Sequence, residues 1–164
     1  MRLPLRNLPR LRNLLLLALA TLLLDQGSKL AVVFLMNPGE SIPVFSDFLR
    51  LTFVRNSGAA FGLFSGNRIT FLMMTFVAVA ALLFVLFRSS RRGASLSPYL
   101  VLVVAGAIGN MVDRFRVGDV VDFVDIGWKN VRWPVFNVAD IALTAGVILF
   151  LYHTLLERHP SQSQ

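Results

Sequence analysis

Four apolar runs, at about residues 13–36, 69–87, 98–114 and 138–156, decide most of what this chain is able to become. A helix rising ~1.5 Å per residue crosses a ~30 Å hydrocarbon core in about 20 residues, the scale of each run. No water reaches backbone N–H and C=O groups at that depth, so the runs must satisfy themselves as helices. With 55% hydrophobic and 15% charged residues, too little polar chain remains for a soluble domain of 164 residues. The mean hydropathy of +0.67 agrees. The expected fold is an all-α membrane protein, a single domain over 1–164. It has four transmembrane helices, a small extracytoplasmic β element and an interfacial amphipathic segment. Residues 160–164, a Ser-Gln tail after Pro160, are expected to be flexible.

Arg2, Arg6, Arg10 and Arg12 followed by leucines imitate a secretory leader. No small-x-small cleavage site follows, and the apolar pattern resumes after Lys29, so the first run is expected to stay as a span. The net charge of +7 does not imply nucleic acid, because the arginines sit in short tails and loops beside apolar runs and form no continuous basic face. Arginine density beside the first two spans places both termini in the cytoplasm, leaving 37–68 and 115–137 outside. Without cysteine, disulfides, thiolate nucleophiles and Cys-based metal sites are excluded.

The outer segments carry pattern of their own. Residues 48–55 are rich in β-formers, and Asn56-Ser57-Gly58 reads as a turn. Trp128 and Trp133 with Lys129 and Arg132 read as an interfacial belt.

Ionisable groups at membrane depth are costly and mark functional sites by default. Asp25 and Lys29 share a helix face and read either as a self-neutralising ion pair or as part of a site. Asn110, Asp113 and Arg114 follow at i, i+3 and i+4, either snorkelling to the interface or bracing nearby carboxylates. Asn137 is a good N-cap and Asp140 suits the helix dipole, which does not prevent a chemical role. Asp119, Asp122 and Asp125 read as a solvated acidic face, a loose cation site or, for Asp122, half of a carboxylate pair with Asp140. Two carboxylates around one water can share a proton and divide acid and base roles. No histidine lies on the outer side to serve a metal or to activate Ser57, and a Ser57–Lys29 dyad is the weaker option. A small cation-coupled carrier and a non-catalytic scaffold are the competing classes, although no repeated half supports a carrier.

At these residues the chain resembles lipoprotein signal peptidase, the bacterial signal peptidase II family. The resemblance covers about residues 13–156 and rests on five ordered blocks. These are Asp25-Gln26-Gly27-Ser28-Lys29, residues 55–62 (Arg-Asn-Ser-Gly-Ala-Ala-Phe-Gly), Gly109-Asn110-Met111-Val112-Asp113-Arg114, Val120-Val121-Asp122-Phe123 and Phe136-Asn137-Val138-Ala139-Asp140. It implies an inner-membrane aspartic endopeptidase working near the extracytoplasmic face without a cofactor or metal. Its substrates would be diacylglyceryl-modified prolipoproteins, cut just before the lipidated cysteine. The implied catalytic pair is Asp122 and Asp140, with Asn110, Asp113, Arg114, Asn137, Asn56, Gly58, Asp25 and Lys29 in support. Membrane lipid and globomycin-type inhibitors are the implied further partners, and the expected working form is a monomer.

Overall fold

The computed structural model describes residues 8–58 and 97–157, together with Met73, Val77 and Phe84. The first apolar run forms α1 (Leu8–Leu35), whose 28 residues exceed the length a bilayer requires. The third forms α2 (Pro98–Arg116) and the fourth α3 (Val138–Glu157). These are three helices long and apolar enough to cross a membrane. The expected span at 69–87 lies outside the described residues, except that Met73, Val77 and Phe84 are helical. Leu16, Leu23, Phe34, Ile148 and Leu151 are all more than half exposed, as side chains facing lipid should be.

Pro98 opens α2, where its missing N–H would be unbonded anyway. Gly118, at φ 93°, follows its last turn, and the Gly118 N–H closes on the Arg114 carbonyl. That left-handed residue turns the chain out of the helix and into the sheet. The two helices then meet backbone to backbone. A Cβ on Gly106 would strike the Ala139 carbonyl oxygen, and one on Gly146 would lie 2.5 Å from the Tyr99 carbonyl. Small residues let helices approach this closely in lipid, where apolar burial gives no net drive to associate.

Between the helices lies one four-stranded antiparallel sheet in the order β1-β2-β3-β4. Its strands are β1 (Ser41–Phe45), β2 (Leu49–Asn56), β3 (Val120–Trp128) and β4 (Val131–Arg132). The strand expected at 48–55 is β2. The other three strands enlarge the small β element expected beside the helices into a sheet. Residues 120–128, not read as a strand from their pattern, form an inner strand buried over most of its length. Burial on both sides erased the polar–apolar alternation by which a strand is recognised. Phe53, 1% exposed, sits at a register shift between Leu51 and Val54, packed with Val32 and Met36 of α1 and Val121 and Phe123 of β3. This small core pins the sheet to the end of α1.

Candidate active site

Two helices deliver charge to one buried point, and the third meets it through a backbone N–H. Lys29 Nζ donates to Asp25 Oδ2 (2.9 Å) within α1, and to Asp113 Oδ2 (2.8 Å) and Asn110 Oδ1 (2.9 Å) on α2. The Asp25 and Lys29 side chains are 1% and 3% exposed. Buried ions persist only when their remaining lone pairs and protons are also satisfied. Here Asp25 Oδ1 accepts the Ala139 N–H, which opens α3, and Asp113 Oδ2 accepts the Val121 N–H of β3. Gln26 Nε2 lies within bonding distance of Asp25, Asp113 and the Gly109 carbonyl. Gly109 makes room for this, since a Cβ there would come within 2.5 Å of Asp25 Oδ2. The Asp25–Lys29 alternatives thus resolve toward an ion pair, which also ties all three helices and the sheet together. Asp113 does not snorkel; it is buried in this cluster.

Two asparagines carry the network onward. With its amide oxygen held by Lys29, Asn110 turns its NH₂ outward to Asp140 Oδ1 (2.7 Å). Asn137 caps α3 reciprocally: its Oδ1 accepts the Asp140 N–H (3.0 Å), and its own N–H donates to Asp140 Oδ2 (3.2 Å). Its side-chain NH₂ faces the other way, donating to Asp122 Oδ1 (2.6 Å) and to Asn110 Oδ1 (3.0 Å). The capping role read from the sequence and a role beside the acids therefore coexist in one residue, which touches both carboxylates.

Asp122 is placed by β3, directly opposite Val54 of β2. Its Oδ2 accepts Asn56 Nδ2 (2.8 Å), and the Asn56 Oδ1 accepts the Gly58 N–H in a local turn. Burial pushes the Asp122 carboxyl up to about 6, and the nearby Asp140 adds to the rise, while the bonds from Asn56 and Asn137 and the Lys29 charge oppose it. Arg114 reaches from α2 to the Gly58 carbonyl (3.3 Å) across the same opening.

Asn56, Gly58, Asn110, Arg114, Asp122 and Asp140 line a cavity of about 520 Å³. Trp133, Phe136, Asp140 and Thr144 continue it into an apolar groove of about 400 Å³ along Ile141, Ala145 and Ile148 of α3. Of the ten residues singled out in the sequence, six line the cavity, Asn137 lies behind its two acids, and Asp25, Lys29 and Asp113 form the buried cluster bonded to Asn110. Asp125 does not join them: three residues on in a strand reverses the face, and it pairs with Arg132 (2.7 Å) and Thr52 (2.7 Å). The acidic-face and cation-site alternatives fail on the same geometry. Ser57 is exposed, whereas Lys29 is buried and fully engaged, so a dyad between them does not form. Sequence reasoning missed Gln26, Gly109 and the Trp133–Phe136 wall. Glycine and aromatic residues give no local sign of the cross-chain contacts they make.

The family model for signal peptidase (SPase) II matches residues 17–156. A lipoprotein signal peptidase of Desulforapulum autotrophicum is 38% identical over 159 residues, covering 94% of this chain and 98% of its own. That of Brevibacillus brevis is 40% identical over 142 residues, covering 87% and 94%. A bacterial membrane enzyme solved by the in meso method at 2.3 Å superposes with a TM-score of 0.82 at 33% identity, covering 93% of each chain. A second, at 1.9 Å, gives a TM-score of 0.70, also at 33% identity, over 87% of this chain and 92% of that one.

Proposed function

Because this chain belongs to the signal peptidase II family, we propose that it removes signal peptides from diacylglyceryl-modified prolipoproteins as an aspartic endopeptidase. Asp122 and Asp140 are the catalytic pair. The observation that carries this reading is their joint hold by Asn137 at the mouth of a cavity that runs on into an apolar groove.

In the cycle, one carboxylate takes a proton from water as the water oxygen attacks the scissile carbonyl carbon. The other protonates the developing oxyanion. Collapse of the tetrahedral intermediate breaks the C–N bond, and the proton taken from water passes to the departing amine. The two apparent pKa values belong to the pair jointly. Asn110 donates to Asp140 and Asn137 to both acids, which holds their geometry, and Lys29 fixes which end of the Asn110 amide faces Asp140. Arg114 and the Asn56–Gly58 turn form the rim that receives the extended peptide. Acyl chains contribute about 0.8 kcal/mol per buried methylene, so lipid recognition weighs heavily in selectivity.

The working form is a single four-span domain in the bacterial inner membrane, with residues 69–87 as the remaining span. Both termini are cytoplasmic, and the cavity lies at the extracytoplasmic face. Cleavage falls just before the lipidated cysteine. Globomycin-type inhibitors occupy the same cavity, and the monomer suffices.

The test is cleavage of a diacylglyceryl-modified prolipoprotein by purified protein in lipid, beside Asp122→Asn and Asp140→Asn. Product from the wild type alone, with both variants folded, is expected. Normal cleavage by either folded variant would overturn the pair.

A further inference from the structure

Trp133, Phe136, Asp140 and Thr144 line both the cavity at the acids and the apolar groove beyond it. They form the throat through which the two spaces join. Asp140 and Thr144 stand one helical turn apart on α3, ~6 Å along its axis. Past the throat the groove follows Ile141, Ala145 and Ile148, which share one helix face. Apart from Asp140 and Thr144, every side chain lining the groove is aliphatic or aromatic.

Thr144 differs from the other described helical threonines. A threonine inside a helix commonly bonds the carbonyl four residues back. Thr21 donates in this way to the Leu17 carbonyl (2.9 Å), and Thr154 to that of Phe150 (2.8 Å). The Thr144 side chain is exposed, and among the described residues its hydroxyl has no partner, the Asp140 carbonyl included. At membrane depth a donor left unanswered is unfavourable until something entering the groove accepts from it.

Resting on the peptidase reading, we propose that Thr144 is a specificity-determining residue. Its hydroxyl donates to an acyl-ester carbonyl of the substrate's diacylglyceryl group, and that acyl chain lies along Ile141, Ala145 and Ile148. The order of chemistry in the groove selects this occupant. One donor stands at the throat with only apolar wall beyond it, as an ester carbonyl followed by methylenes requires. Size selects it too. Ile141 to Ile148 rises ~10 Å, longer than any aliphatic side chain of a peptide. The groove's volume of about 400 Å³ is roughly half of what a helix ~10 Å across displaces over that length, so the signal helix itself does not fit. Reach agrees as well: from the scissile C–N bond, the cysteine thioether and the glyceryl unit lead to the ester over a span comparable to the single turn between Asp140 and Thr144.

The experiment gives purified protein in lipid two prolipoproteins that differ only in their lipid. One is diacylglyceryl-modified; the other is dialkylglyceryl-modified, its ether links lacking the carbonyls. Thr144→Val keeps the side chain's shape without the hydroxyl, and Thr144→Ser keeps the hydroxyl. On the diacyl substrate Thr144→Val is expected to raise KM about 3- to 10-fold, the effect of one hydrogen bond, with Thr144→Ser close to wild type. On the dialkyl substrate the wild type should show the same rise, and Thr144→Val should add nothing to it. An equal KM rise from Thr144→Val on both substrates, or none on either, would overturn the assignment. The peptidase reading would survive that result, because both substrates are still cleaved; cleavage of neither by the wild type would end both. If Thr144→Val fails to fold, Ala145→Phe fills the groove instead. Its KM should then rise with acyl-chain length, and a KM indifferent to chain length would overturn the groove as the acyl site.

Discussion

Aspartates occur in two sets within one hydrogen-bonded network, and the two environments set them apart. Asp25 and Asp113 share the Lys29 ammonium, accept backbone N–H groups from α3 and β3, and face no cavity. Asp122 and Asp140 rest on asparagine amides and open onto a cavity of about 520 Å³, with Arg114 on its rim. The first set is neutralised where it stands. The second is held by amides at the cavity, with the Arg114 guanidinium close enough to act on both carboxylates. Position in a cluster of acids thus says little about role; what differs is whether a cation bonds the carboxylate inside the helix packing or amides hold it at an open cavity.

The comparison breaks most visibly in activity. Asp122→Asn and Asp140→Asn are each expected to lower the cleavage rate by about three orders of magnitude, with unfolding temperature in lipid showing that both fold. Lys29→Met leaves two buried carboxylates without their cation, and a loss of about 3–5 kcal/mol in stability is expected, read from denaturant titration of the reconstituted protein. Stability unchanged in Lys29→Met would erase the distinction between the two sets.

The titration of Asp122 provides a sharper test with a worked sign. Because its folded carboxyl is raised to about 6, the folded state binds the proton more tightly than the unfolded chain does. The stability contributed by Asp122 is therefore fully present below pH ~4 and is lost as pH rises through ~4 to ~6, by on the order of 3 kcal/mol. Asp122→Asn should lack that slope, so the wild type should gain on the variant as pH falls across the window. Asn56→Ala removes a bond that favours the charged form. It should move the Asp122-governed limb of the pH–rate profile upward, and an unmoved limb would sever Asn56 from the acid.

The smallest effect is steric. Gly109→Ala should cost about 1–3 kcal/mol by driving a methyl into Asp25. Gly27→Ala, with nothing within 4 Å of the added carbon, should be neutral or stabilising by up to about 1 kcal/mol. Thermal unfolding of the two variants side by side reads the difference.

Much of this was legible in the chain because membrane depth makes polar residues conspicuous. An apolar run announces a helix, and Asp25, Lys29, Asn110 and Asp113 stand out within such runs as groups that need partners. The apolar pattern gave three helices to within a few residues of their ends, apart from the start of α1, which begins at Leu8. It did not give β1, β3 or β4. Val120–Trp128 is apolar on both faces near its start, and Asp122 and Asp125 look alike in sequence though they point to opposite sides. Pairings such as Asn110 with Asp140, or Gln26 with Asp113, depend on where distant helices cross, and no spacing along the chain encodes that. The family resemblance supplied Asn56 before any contact with Asp122 was visible; residue chemistry alone had offered only a turn.

Asn137 has a consequence for biogenesis. It is the joint between the two acids, and it lies at the start of α3, more than a hundred residues after Asp25. A nascent chain whose earlier helices are already in the bilayer still lacks Asp140, the Asn137 clamp and the Ala139 N–H that Asp25 requires. The pairing of the two acids therefore forms only once α3 has joined the earlier helices. Truncation ahead of this point leaves an inserted but inert protein, and supplying α3 as a separate polypeptide becomes a means of switching the centre on.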